Sequence, residues 1–115
     1  FRSSREDTDV FVRVCEVDPQ GASWNVCDAL VRLTAGQPER DPDGVARVRF
    51  ELWPTARRFA AGNRIRVQVS SGAHPRYARN PGTGEDPLRA TRLLPADQEV
   101  FHDPARPSAV TLTVL

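Results

Sequence analysis

Apolar and polar residues alternate with period two over three stretches of the chain. From Gly44 to Trp53, Ala46, Val48, Phe50 and Leu52 fall on one phase, and Val45, Arg47, Arg49 and Glu51 on the other. A period of two is the signature of a strand with one face buried. Asn63 to Ser71 repeats it, with Ile65, Val67 and Val69 predicted inward against Arg64, Arg66, Gln68 and Ser70. The final stretch, with Val110, Leu112 and Val114 against Thr111 and Thr113, predicts a third such strand.

Val10 to Val17 and Trp24 to Leu33 carry apolar residues on both phases, interrupted by Arg13, Glu16, Asp28 and Arg32. Such strands are expected to be covered on both faces. Asp18-Pro19-Gln20-Gly21 between them has turn chemistry, because proline presets φ and glycine tolerates the left-handed region. The two strands are therefore expected to form a hairpin. No stretch of ten residues holds the apolar spacing of a surface helix.

The ten prolines and seven glycines punctuate these segments with longer connections at 35–43, 54–62 and 70–87. The last contains His74-Pro75-Arg76-Tyr77 and then Asn80-Pro81-Gly82-Thr83-Gly84, and long ordered loops often carry function or pack on a neighbour. Short strands separated by turn signals, with no alternating helices, predict an all-β sandwich or jelly roll.

With 115 residues the chain makes one domain, large enough to bury a core without crosslinks. Sixteen basic and fifteen acidic residues leave a net charge of +1, which argues against a nucleic-acid or anionic-membrane partner. Nothing approaches the run of roughly 20 apolar residues that a membrane helix needs. The compartment stays open, with a cytoplasmic location favoured over secretion. All the basic residues are Arg, a bias associated with GC-rich bacterial genomes, and Met is absent. A chain that opens on Phe1-Arg2-Ser3-Ser4 is expected to be a fragment of a larger protein.

Candidate chemistry is sparse. Centring the turn on Pro19 and Gln20 offsets Cys15 from Cys27 by about three residues, roughly 10 Å, beyond disulfide reach, so both are expected to be free thiols. Their spacing lacks the pattern of a zinc site, and no metal or cofactor is expected. His74 and His102 are the two histidines, but there is no Gly-x-Ser-x-Gly elbow to supply a nucleophile, so no catalytic residue is assigned. Gly82-Thr83-Gly84 lacks the context of a phosphate cradle and reads as turn-forming. The charges of Arg57-Arg58 and of Glu6, Asp7 and Asp9 read as solvated surface. Trp24 and Trp53 are expected in the core or at a domain contact, with a sugar-stacking platform as the alternative.

Specific words of the sequence carry more. Asp7-Thr8-Asp9-Val10-Phe11, Val17-Asp18-Pro19-Gln20-Gly21 and Trp24 to Arg32 resemble, in order, the opening of the C-terminal domain of X-Pro dipeptidyl-peptidase-like and cocaine-esterase-like serine hydrolases. Phe50-Glu51-Leu52-Trp53-Pro54-Thr55, Phe59 and Ala61 to Val67 look like that family's strand, proline turn and following strand. Ser70-Ser71 to Pro75-Arg76-Tyr77, Asn80-Pro81 and Thr83-Gly84 look like its long loop, and His102-Asp103-Pro104 with Pro107-Ser108 like the segment before its last strand. Asn63 and His74 depart from the His and aromatic residue expected there.

The resemblance implies a galactose-binding-like jelly-roll β-sandwich over residues 1–115, appended to an α/β-hydrolase domain that lies upstream and holds the Ser-His-Asp triad. It also implies that this sandwich is non-catalytic, braces the catalytic domain, helps wall the substrate cleft and takes part in oligomer contacts. The parent would cleave ester, amide or X-Pro peptide bonds, and a carbohydrate-binding module is the alternative. Contact with the upstream domain is expected through His74, Pro75, Arg76, Tyr77, Arg79 and Asn80, with Pro81 adding apolar surface. A further strand is expected before Asp7, of which Phe1 to Ser4 is the end. Without it a sheet edge would stand open and invite self-association.

Overall fold

The computed structural model describes residues 1–114 and is all-β, with no helix among the described residues. Five strands follow one another: β1 (Arg2–Ser3), β2 (Thr8–Val17), β3 (Ser23–Leu33), β4 (Arg64–Ser70) and β5 (Gln98–Glu99). They form two antiparallel sheets, a small β1-β5 pair and a three-stranded sheet in the order β3-β2-β4.

The predicted hairpin is present. The Gly21 N–H donates to the Asp18 carbonyl at 3.1 Å and the Ala22 N–H to the Asp18 carboxylate at 2.8 Å, with Gly21 in the left-handed region at φ 92°. Strand β2 lies at the sheet centre and is the most buried element, holding Val10, Phe11, Val14, Cys15 and Val17. β3 meets the expectation of two covered faces only in its second half, because Ser23, Trp24 and Asn25 project beyond the covering loops and are exposed.

A register shift between Val14 and Cys15 places Cys27 opposite Val14 and Cys15 opposite Asn25. The expected three-residue offset of the thiols is thereby corrected to adjacent rows, since an extra residue in β3 takes up the slack as a bulge. Both thiols are free, and neighbouring positions along β2 point to opposite faces. Burial, then the nearby Asp28 and Cys15, push the Cys27 thiol above its ordinary value.

Two predicted strands do not pair. Among the described residues, 44–53 form a single bridge, Ala46 with Arg40, and otherwise run without a sheet partner, and 110–114 are likewise outside any sheet. Alternation reports which face a segment buries and says nothing about a hydrogen-bonding neighbour, so it does not predict pairing at either segment. The sidedness itself is correct, as Val48, Phe50 and Leu52 are half-buried and Arg47, Arg49 and Glu51 exposed. In β4 the pairing is right and the burial is not: Ile65, Val67 and Val69 are 50, 45 and 39% exposed. β4 is an edge strand, and no second layer covers it among the described residues.

Candidate functional site

The register sorts the β2 side chains into two sets. Val10, Val12, Val14 and Glu16 share a face with Ala29 and Cys27 of β3 and with Ile65, Val67 and Val69 of β4. Asp9, Phe11 and Arg13 share the opposite face with Arg32, Leu30 and Asp28. Both faces carry buried carboxylates, which requires compensation because an ionised carboxylate taken out of water without partners is costly.

Each carboxylate finds an arginine from elsewhere in the chain. Arg32 Nε and Nη2 donate to the two oxygens of Asp9, both at 2.9 Å, and Asn80 Nδ2 adds a bond of 2.8 Å to Oδ1. Glu16 accepts from Arg57 Nε at 2.8 Å, from the Ala60 N–H at 2.8 Å and from Asn63 Nδ2 at 2.7 Å. Asp28 accepts from Arg13 Nε and Nη2 on Oδ2 at 3.2 and 3.0 Å, and Arg76 Nη2 lies 3.0 Å from its Oδ1. Two sequence expectations are corrected here. Asp9 is 1% exposed, unlike its solvated neighbour Glu6, and Arg57, unlike Arg58, is a clamp. Both were invisible in the sequence because the partners lie 23 to 71 residues away.

These clamps fasten two long connections to the sheet. Glu16 holds the 54–63 segment through its backbone and side chains, and Asp9 and Asp28 hold the 71–87 segment through Asn80 and Arg76. Tyr77 reinforces the second, its ring centroid 6.0 Å from that of Phe11 at a tilted angle. Gly82, at φ 70°, lets the loop approach Leu94, whose N–H donates to the Pro81 carbonyl at 2.9 Å; a Cβ on Gly82 would stand 3.1 Å from the Leu94 oxygen.

The residues expected at a domain contact therefore divide. Tyr77 and Asn80 turn toward their own sheet and Pro81 is buried, because the carboxylates and Phe11 attract this loop inward. His74, Pro75 and Arg79 remain exposed, as does Arg76, whose guanidinium nonetheless reaches Asp28 of the sheet. Trp24 and Trp53 are 46 and 66% exposed, so neither is a core residue. Trp53 stands beside Arg76, Thr55 and Asn25 around an open cleft of about 310 Å³ whose floor is Asp28 and Arg13. Its backbone N–H reaches the Asp28 carbonyl on the free edge of β3 at 3.4 Å.

Nothing in this arrangement assembles a nucleophile with a base. Among the described residues neither His74 nor His102 is hydrogen-bonded to a serine or carboxylate, and no group of metal-ligating side chains gathers. Arginines pair with all three buried carboxylates, and Asp28 Oδ1, although 3.0 Å from Arg76 Nη2, makes no hydrogen bond among the described residues.

Glu16 illustrates this in its ionisation. The Ala60 N–H, then the Asn63 amide and Arg57, hold its carboxyl far below the ordinary value of 4.5, at about 2. A carboxylate with a depressed folded-state value contributes stability that is complete above pH 4.5 and is lost as pH falls toward 2. Thermal unfolding followed between pH 5 and pH 2 should show a falling midpoint, and Glu16→Gln should flatten that fall. An unchanged slope in the variant would mean that other groups carry the acid sensitivity.

A model of the X-Pro dipeptidyl-peptidase C-terminal non-catalytic domain matches residues 1–111. Cocaine esterase from Rhodococcus sp. (strain MB1 Bresler) is 30% identical over 120 residues, covering 98% of this chain and 21% of that protein. The chain thus spans about a fifth of the length of this curated relative. No solved structure matches. A central hairpin whose carboxylates are spent on fastening loops, and a family match that runs almost end to end, lead to one conclusion: the chain belongs to the X-Pro dipeptidyl-peptidase C-terminal non-catalytic domain family.

Proposed function

We propose that this chain is the accessory domain of a serine hydrolase, a jelly roll that braces an upstream α/β-hydrolase domain and helps shape its substrate cleft. The parent would cleave ester, amide or X-Pro peptide bonds with a triad housed in that other domain. The observation that carries this reading is the surface around Trp53. An exposed tryptophan flanked by Arg76, whose guanidinium lies 5.7 Å from the Tyr77 ring, sits on connections that buried carboxylates hold rigid. Tryptophan and arginine dominate the energetics of protein contacts, and a preorganised surface loses little entropy on docking. His74, Pro75 and Arg79 extend the same contact surface along the loop.

The test uses the parent enzyme. Trp53→Ala combined with Arg76→Ala should lower its melting temperature and raise KM, while the 115-residue chain carrying the same changes should unfold as before. A double variant whose parent melts and turns over like the wild type removes the contact. The exposure of both tryptophans also fits the alternative reading, a carbohydrate-binding module. A saturable quench of tryptophan fluorescence on glycan titration of the isolated chain is the result that would favour it.

A further inference from the structure

The open cleft beside Trp53 holds an unspent acceptor. Its floor is Asp28, whose side chain is only 8% exposed. Arg13 donates twice to Oδ2, at 3.2 and 3.0 Å, which leaves Oδ1 without that partner. Among the described residues Oδ1 is the one buried side-chain oxygen or nitrogen that makes no hydrogen bond. Arg76 Nη2 stands 3.0 Å away, close enough to attract by charge, yet its N–H bonds are not aimed at the oxygen. An unmet buried acceptor is costly, and in a native fold it marks a place that another group completes.

The rim supplies the opposite kind of group. Arg76 is exposed, with its guanidinium 5.7 Å from the Tyr77 ring, and its donors remain open to the cleft. Asn25 accepts the Cys15 thiol on Oδ1 at 3.6 Å, and its Nδ2 has no acceptor among the described residues. Trp53 forms an exposed apolar wall. An acceptor and a donor 3.0 Å apart, both unused, fit a group that carries its own donor and acceptor side by side. An extended peptide residue is such a group, since its N–H and C=O point to the same edge, as the double exchange between paired strand residues shows. A carboxylate has no donor, and an ammonium or guanidinium has no acceptor. A sugar hydroxyl has both but is indifferent to charge. Two arginines around one aspartate leave the floor with a surplus positive charge, which favours an acidic side chain beside the captured residue and repels a basic one.

We propose that this cleft captures an extended, acidic peptide segment of the upstream hydrolase domain. One residue of that segment donates its N–H to Asp28 Oδ1 and accepts at its carbonyl from Arg76, and an adjoining side chain packs on Trp53. Asp28 then serves both sides of the contact, holding Arg13 of its own sheet on one oxygen and the partner backbone on the other. This inference rests on the accessory-domain reading and deepens it by naming what the Trp53 and Arg76 surface holds.

The test changes the ligand, so no variant of the chain has to fold. Acetyl-Val-Glu-Val-methylamide, whose β-branched residues favour the extended form, is titrated into the isotope-labelled 115-residue chain while the Trp53 indole and Arg76 Nε–H signals are followed by NMR. The expected result is a saturable shift of both signals. N-methylation on one phase of the peptide, either at Glu or at both Val, should weaken binding by about tenfold or more, and on the other phase should leave it unchanged. Exchanging Glu for Lys in the peptide should also weaken it. Equal binding of all the methylated forms overturns the backbone capture, and no shift at all leaves Oδ1 to water and overturns the site. Methyl β-galactoside binding more tightly than the peptide overturns the ligand class. In the parent enzyme the cleft should already be filled, so peptide binding there as strong as in the isolated chain overturns the upstream segment as occupant. If Trp53→Ala with Arg76→Ala destabilises the parent while the isolated chain ignores the peptide, the accessory-domain reading survives and this inference fails. If the parent is indifferent as well, both fail.

Discussion

Replacing Phe11 with alanine is expected to cost about 4 kcal/mol of folding stability, the largest single-residue loss in the chain. Phe11 is 1% exposed on the central strand, and three things meet on its ring: Tyr77 at 6.0 Å between centroids, the Arg13 guanidinium at 4.9 Å, and the β3 strand through Leu30 opposite it. Truncation opens a cavity that the sheet cannot close, since backbone pairing on both sides of β2 holds the strands apart. It also removes the surface on which Tyr77 rests. Against a total stability of roughly 5–15 kcal/mol, a loss of this size should lower the melting temperature by roughly 15 °C. Phe11→Leu, which keeps most of the volume, should cost about 1.5 kcal/mol or less. Calorimetry on the two variants decides the point: a Phe11→Leu chain that melts like the wild type would show that the aromatic contact contributes nothing, and a Phe11→Ala chain that does so would remove the cavity argument.

Asp9→Asn should be nearly as damaging, at about 3 kcal/mol, although it preserves the shape of the side chain. Asp9 offers acceptors only, and three donors converge on it: Arg32 Nε and Nη2, and Asn80 Nδ2. An amide in its place presents an NH₂ to at least one of those donors whichever way it turns, while Arg32 loses its counter-charge. The effect should be concentrated in the 71–87 connection, since Asn80 is its tie to Asp9 and Arg32 also donates to the Ala78 carbonyl at 3.2 Å. Urea denaturation should give a lower midpoint, and limited proteolysis should find a new early cut between Gly72 and Gly84. A variant with a normal midpoint and a resistant loop would show that Arg76 and Tyr77 hold the segment by themselves.

Under the accessory-domain proposal, the two buried carboxylates that fasten this loop preorganise its contact surface. A surface contact has to be preorganised to be tight, and loops are ordinarily the least ordered part of a fold. Asp9 and Asp28 tether 71–87 through Asn80 and Arg76, and His74, Pro75 and Arg79 stay exposed on the tethered loop.

How much of this was legible in the sequence depended on the range of the interaction involved. The hairpin, its turn and β4 were readable because period-two alternation and Asp-Pro-Gln-Gly chemistry act within a few residues, and the family followed from ordered words along nearly the whole chain. Alternation at 44–53 also predicted its sidedness correctly, with Val48 and Phe50 turned in. The tertiary structure alone decided which strands have partners, because a ladder needs a second chain segment that no local pattern specifies. It alone buried Asp9, Glu16 and Asp28 and exposed Trp53 and Ile65. A carboxylate reads as a surface residue until an arginine brought from far along the chain repays its desolvation, and an apolar residue reads as core until its strand proves to be an uncovered edge.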